Sequence, residues 1–91
     1  MVFLVTGMTQ EQISRLCSVS LANILRIPEN TVGADTTFNR LGLDSAMVVY
    51  LMIELEEKLG LELSPDDFYD YPTVNDLSRF LADKHATHSA A

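Results

Sequence analysis

The sequence predicts an all-α fold: a small four-helix bundle of three main helices and one short helix, with a long first connection. Three observations carry this. Apolar residues recur at helical spacing, no stretch shows sustained strand alternation, and start and stop signals frame each helical stretch. At 91 residues the chain reads as a single domain spanning 1–91, with a core from about 9 to 84 and loose ends. It is too short for a two-domain enzyme, a barrel or a dinucleotide-binding sheet.

The first helix is expected from Gln10 to about Arg26. Thr9 can cap it, Gln12 completes a capping box, and Met8 can staple to Ile13. Ile13, Leu16, Cys17, Leu21, Ile24 and Leu25 form one apolar face, and Pro28 ends the helix. Residues 27–43 form the long connection, rich in turn formers but carrying Val32, Phe38, Leu41 and Leu43 for packing. A loop of this length in so small a domain points to function.

The second helix is expected to begin at Asp44 or Ser45 and to end near Leu59, with Gly60 as its left-handed cap. Val48, Met52, Leu55 and Leu59 make its buried face, with Val49 and Leu51 beside it. Met47, Tyr50, Glu54 and Glu57 form the remaining stripe. A short helix follows, capped by Ser64, with Pro65 at its first position and Asp66 and Asp67 at its positive end. Tyr71-Pro72 stops it. Thr73 caps the last helix, whose buried face is Val74, Leu77, Phe80 and Leu81. Beyond Lys84 the small, polar run is expected to fray.

Composition excludes several functions. The chain has 13 acidic and 6 basic residues, a net charge of −7. Residues 1–43 are neutral overall; residues 44–91 carry ten acids against Lys58, Arg79 and Lys84. Such a surface suits a basic partner, not nucleic acid or an anionic membrane. The apolar opening Met1–Val5 is too short for a membrane span and lacks the pattern of an export signal. One cysteine, Cys17, excludes an internal disulfide and fits a cytoplasmic protein; on the apolar helix face it reads as a buried thiol.

Catalytic machinery is not legible. The two histidines, His85 and His88, fall in the expected tail with no ligands beside them, so no metal site is read. There is no nucleophile elbow and no phosphate-binding glycine loop.

One site stands out. Gly42-Leu43-Asp44-Ser45 ends a long loop and opens a helix. The Ser45 hydroxyl is expected near the surface, where free backbone N–H groups and the helix dipole favour negative charge. Gly42 frees the turn and Asp44 sets a carboxylate beside the hydroxyl. From this pattern alone, Ser45 reads either as an ordinary helix cap or as an attachment point for a phosphodiester.

Here the sequence resembles the acyl carrier protein family. Leu41-Gly42-Leu43-Asp44-Ser45-Ala46 matches that family's motif at the start of its second helix. Phe38, Leu55-Glu56-Glu57-Lys58-Leu59-Gly60 and Tyr71-Pro72-Thr73-Val74 with Leu77 extend the likeness from about Thr9 to Lys84. The resemblance implies a 4'-phosphopantetheine arm on Ser45, with Asp44, Gly42 and Leu43 around it. It implies attachment from coenzyme A by a phosphopantetheinyl transferase. Acyl groups would ride as thioesters, loaded by an acyl ligase or acyltransferase and processed by a ketosynthase or other acyl-handling enzymes. With no catalytic motif legible the chain is expected to be no enzyme itself, and since nothing in the sequence requires an oligomer a monomer is expected.

The departures from the family pattern are Ala46, where Leu is usual, and Met47 and Tyr50, where fatty-acid carriers often hold acids. They suggest a recognition surface, Met47, Tyr50, Glu54 and Glu57, that is apolar near the arm and acidic further down. Packing of Met47 and Tyr50 on the long loop is the competing reading. Val48, Met52, Leu55, Leu63, Phe68 and Leu77 are candidates to line an acyl pocket, unless Phe68 fills it. The expected role is an acyl carrier of polyketide, specialised or fatty-acid-like biosynthesis, discrete or part of a larger synthase. The alternative is an aminoacyl or peptidyl carrier of a nonribosomal peptide system.

Overall fold

A computed structural model describes residues 8–90. The expectations for the apolar opening and for a domain reaching both ends fall outside the described residues. The helices are α1 (Gln10–Leu25), α2 (Phe38–Leu41), α3 (Ser45–Leu59), α4 (Pro65–Asp70) and α5 (Val74–Ala90), with a 3-10 turn at Glu29–Thr31. The long connection thus contains a short helix, α2, that periodicity does not reveal, because one turn has no repeat to read. The described part of the tail also departs from expectation: helix α5 continues to Ala90.

Local signals set most boundaries. Thr9 Oγ1 accepts from the Gln12 amide at 3.1 Å and Gln12 Oε1 from the Thr9 amide at 2.9 Å, a reciprocal capping box. The Ser64–Asp67 pair does the same for α4, and the Asp76 amide donates to Thr73 Oγ1 at 3.1 Å at the start of α5. Helix α1 stops one residue earlier than expected. Arg26 turns into the left-handed region at φ 58°, so the break precedes Pro28 and falls on a residue that pays a steric cost there.

Helix α1 packs against α5 and α3, and α3 against α4. The core joins Ile13, Cys17 and Leu21 of α1 to Leu51, Leu55 and Leu59 of α3, Phe68 of α4 and Val74, Leu77 and Leu81 of α5. Removing these side chains from water is the main stabilising contribution. Burial pushes the Cys17 thiol up to about 12, because the thiolate would lose its hydration there. No helix among the described residues is long and apolar enough to cross a membrane.

Three hydrogen bonds fasten the loop before α3 to the junction of α4 and α5. The Phe38 amide donates to the Pro72 carbonyl at 2.8 Å and the Asn75 amide to the Ala34 carbonyl at 3.0 Å. Asn75 Nδ2 donates to Asp35 Oδ1 at 2.6 Å. The segment that leads into α3 is therefore tied to that junction.

Candidate functional site

The site begins at Gly42. It ends α2 in the left-handed region at φ 92°, a conformation that glycine adopts without a Cβ clash. The Leu43 amide then donates to the Phe38 carbonyl at 3.0 Å, and the buried Leu43 side chain anchors the turn in the core. Two residues later α3 starts.

The cap of α3 is Asp44, not Ser45. Asp44 Oδ1 accepts from the Met47 amide at 2.9 Å. Ser45 is therefore the first helical residue, exposed, and its hydroxyl forms no hydrogen bond among the described residues. Sequence reasoning left the cap between these two neighbours; the geometry separates them. A cap hydroxyl is committed to the backbone, whereas a hydroxyl at the first helical position stands free at the positive end of a helix dipole. Among the described residues it is exposed, and Ala46 beside it is small and exposed too. The residues present therefore fit a phosphodiester on Ser45.

The expected recognition residues divide. Tyr50 is exposed, while Met47 is half-buried and packs against the core. Glu57 is exposed. Glu54 is half-buried and pairs with Lys58 at 3.8 Å, a surface contact of small energetic weight. Glu56 has a structural task, since its Oε2 accepts from the Leu63 amide at 2.8 Å and closes the turn after α3. Val49 does not belong beside the buried face, as its spacing suggested; it is exposed, as is Ile53. Tyr69 on α4 is exposed too, and no sequence signal marked it.

Of the candidate acyl-pocket residues, Val48 and Phe68 line a partly open cavity of about 120 Å³, together with Leu43, Phe38, Thr37 and Tyr69 among others. Leu43 and Val48 flank Ser45 in the chain, so the cavity lies close to the site. Leu55 and Leu77 are fully buried in the core, and Met52 and Leu63 are half-buried against it. Phe68 is also core. Its ring meets that of Phe38 at 6.4 Å between centroids, and both rings line the cavity. Thr37 and Tyr69 add polar atoms to the rim, which the apolar spacing did not signal.

Comparison with known proteins gives this geometry a context. Residues 19–81 match a family model described as a phosphopantetheine attachment site. The chain is 32% identical over 76 residues to the acyl carrier protein TtuC of Teredinibacter turnerae, covering 84% of this chain and 87% of that one. It is 37% identical over 71 residues to a phenolphthiocerol/phthiocerol polyketide synthase of Mycobacterium tuberculosis. That match covers 78% of this chain but only 4% of the synthase polypeptide. Among solved structures, the HMG-ACPI domain of the CurA module from Lyngbya majuscula superposes with a TM-score of 0.83 at 28% identity, over 97% of this chain and 89% of that one. A free-standing peptidyl carrier protein from Acinetobacter baumannii superposes with a TM-score of 0.81 at 29% identity, over 88% of this chain and 98% of that one.

Proposed function

The chain belongs to the phosphopantetheine-attachment family of carrier proteins, and from that premise we propose that Ser45 is its attachment residue and that its cargo is an acyl group of polyketide-type or related biosynthesis. The carrier role and the covalent phosphopantetheine follow from the family. When bound, the arm supplies a terminal thiol that holds the cargo as a thioester. The observation that carries the assignment of Ser45 is its free, exposed hydroxyl at the first position of α3, beside a cap made by Asp44.

The residues around it have separate tasks in this reading. Asp44 satisfies the helix end and keeps the Ser45 hydroxyl out of the backbone network. Gly42 and Leu43 set the turn. The positive end of the α3 dipole would favour the charge of a phosphodiester held on Ser45. The body from about residue 9 to 84 acts as one carrier domain without chemistry of its own. It meets a phosphopantetheinyl transferase, a loading ligase or acyltransferase, and a ketosynthase or other acyl-processing enzyme in turn.

The cavity bears on the cargo. At about 120 Å³ it is small, and Phe68 is one of the side chains that line it. This supports a short acyl group with the bulk of any longer chain left outside. The fold shared with a peptidyl carrier protein keeps an aminoacyl cargo as the second reading. Incubation with coenzyme A and a broad-specificity phosphopantetheinyl transferase, followed by intact mass, tests attachment. The native chain is expected to gain one phosphopantetheine and Ser45→Ala none. Transfer of an acyl group by an acyltransferase, against an amino acid by an adenylating enzyme, then separates the two cargoes.

A further inference from the structure

The cavity has two walls. Thr37, Phe38 and Asn39 belong to the segment before α3, and Phe68, Tyr69 and Pro72 to α4 and the turn after it. One hydrogen bond joins wall to wall, from the Phe38 amide to the Pro72 carbonyl at 2.8 Å. A second fastening lies just outside the cavity, before Phe38 on one strand of the junction and after Pro72 on the other. There the Asn75 amide donates to the Ala34 carbonyl at 3.0 Å and Asn75 Nδ2 to Asp35 Oδ1 at 2.6 Å. Among the described residues no other hydrogen bond ties the segment 33–43 to a helix outside it.

The strap from Asp35 to Leu43 is fixed unequally along its length. Phe38 and Leu43 are buried in the core, so they leave it only by exposing apolar surface. Asp35 is exposed and Asn75 half-buried, so parting these two uncovers no core side chain. Their contact is nevertheless well placed. Asn75 is the second residue of α5, and its amide is one of the donors that a helix start leaves without an intrahelical partner. The Asp35 carboxylate beside it meets the positive end of the helix. An ionised acceptor strengthens the bond from Nδ2, while contact with water keeps its net worth small enough to open. We propose that Asp35 and Asn75 form a clasp that holds the strap against α4, and that its opening sets how readily the cavity admits and releases cargo. Both act as positioning residues. The inference rests on the reading of that cavity as the seat of a short acyl group. With the clasp parted, the Phe38–Pro72 bond holds the two walls without support from the Asp35 side.

Amide hydrogen exchange on the unloaded chain, read residue by residue by NMR, tests the clasp. Asp35→Ala, Asn75→Ala, the double variant and Asp35→Asn are compared with the native chain and with Ile13→Val, which weakens the core from α1. Each Ala variant is expected to speed exchange of the Phe38 amide about fivefold or more relative to the Leu21 and Leu55 amides of the core. Ile13→Val is expected to speed the core amides and to leave Phe38 no faster than they are. The double variant is expected to match the single ones within about twofold, since the same bond is lost in each. Asp35→Asn, which keeps an acceptor, is expected to stay within about twofold of native. The second readout is cleavage by hydroxylamine of a butyryl thioester carried on the arm. The Ala variants are expected to react about threefold faster or more than native, and Ile13→Val at the native rate. Phe38 exchange that only follows the core amides overturns the proposal. Faster exchange with an unchanged cleavage rate overturns it too, since the clasp would then be structural only. A native chain that takes no arm is a different failure, that of the attachment reading, and the exchange result on the unloaded chain then decides the clasp by itself.

Discussion

The Asp44 carboxylate accepts the Met47 amide at 2.9 Å, and this bond sets the neighbouring Ser45 outside the capping network of α3. One short side chain stabilises the helix so that the next is available for modification. Asp44→Ala is expected to cost about 1 kcal/mol of stability through loss of the cap, and Asp44→Asn to retain most of it. Urea unfolding of the three proteins measures this. Ser45→Ala, which removes no hydrogen bond, is expected to change stability by less than about 0.5 kcal/mol.

Arg26 ends α1 at φ 58°, where a side chain costs about 1 kcal/mol relative to glycine. Arg26→Gly is expected to stabilise the native state slightly, because the gain is reduced by about 0.4–1 kcal/mol from the greater freedom of glycine in the unfolded chain. Arg26→Val is expected to destabilise, since a β-branched residue fits this region worst. Thermal melts of both variants read the sign directly.

Cys17 is fully buried and its thiol is pushed up to about 12 by that burial. Native protein at neutral pH is expected to resist alkylation until it unfolds. The pH dependence follows from linkage. The folded state holds the proton more tightly than the unfolded state, from the ordinary value of 9.0 up to about 12. The stability this group contributes is therefore complete below about pH 9 and is lost as pH rises toward 12, at no more than about 1.4 kcal/mol per pH unit. Comparison with Cys17→Ala, whose stability is lower but lacks this slope, isolates the contribution.

Phe68 lines the small cavity to which Leu43 and Val48 also contribute. Phe68→Ala is expected to cost about 3–5 kcal/mol, with part of the loss coming from the space left behind. Phe68→Leu is expected to cost less. If the cavity limits the cargo that can be buried, a saturated acyl chain of about six carbons on the arm should raise Tm more in the Phe68→Ala protein than in the native one.

Most of the fold was legible because it depends on local signals. The Thr9–Gln12 box, Pro65 after Ser64, Gly60 after Leu59 and the apolar faces of α1 and α5 each specify a boundary or a buried side through neighbouring residues. The one-turn α2 was not legible, because a single turn has no repeat to support its Thr37 cap and its start is fixed by the long-range bond from Phe38 to Pro72. The motif brought attention to Ser45, but only the geometry showed that Asp44 holds the cap. Val49 and Ile53 were misread or passed over because an apolar residue on a helix is assumed to face the core. Their angular position, opposite Leu51 and Leu55, is the signal that distinguishes them. Tyr69 had no such signal, because α4 is too short for periodicity to orient it.

The central claim is that Ser45 carries the arm. Its most direct test is residue-level mass spectrometry on a proteolytic digest of the chain loaded by the transferase with coenzyme A. Fragment ions are expected to place one phosphopantetheine on Ser45 and none on Ser64, the capping serine of α4. A modified Ser64, or loading that persists in Ser45→Ala, would contradict the claim.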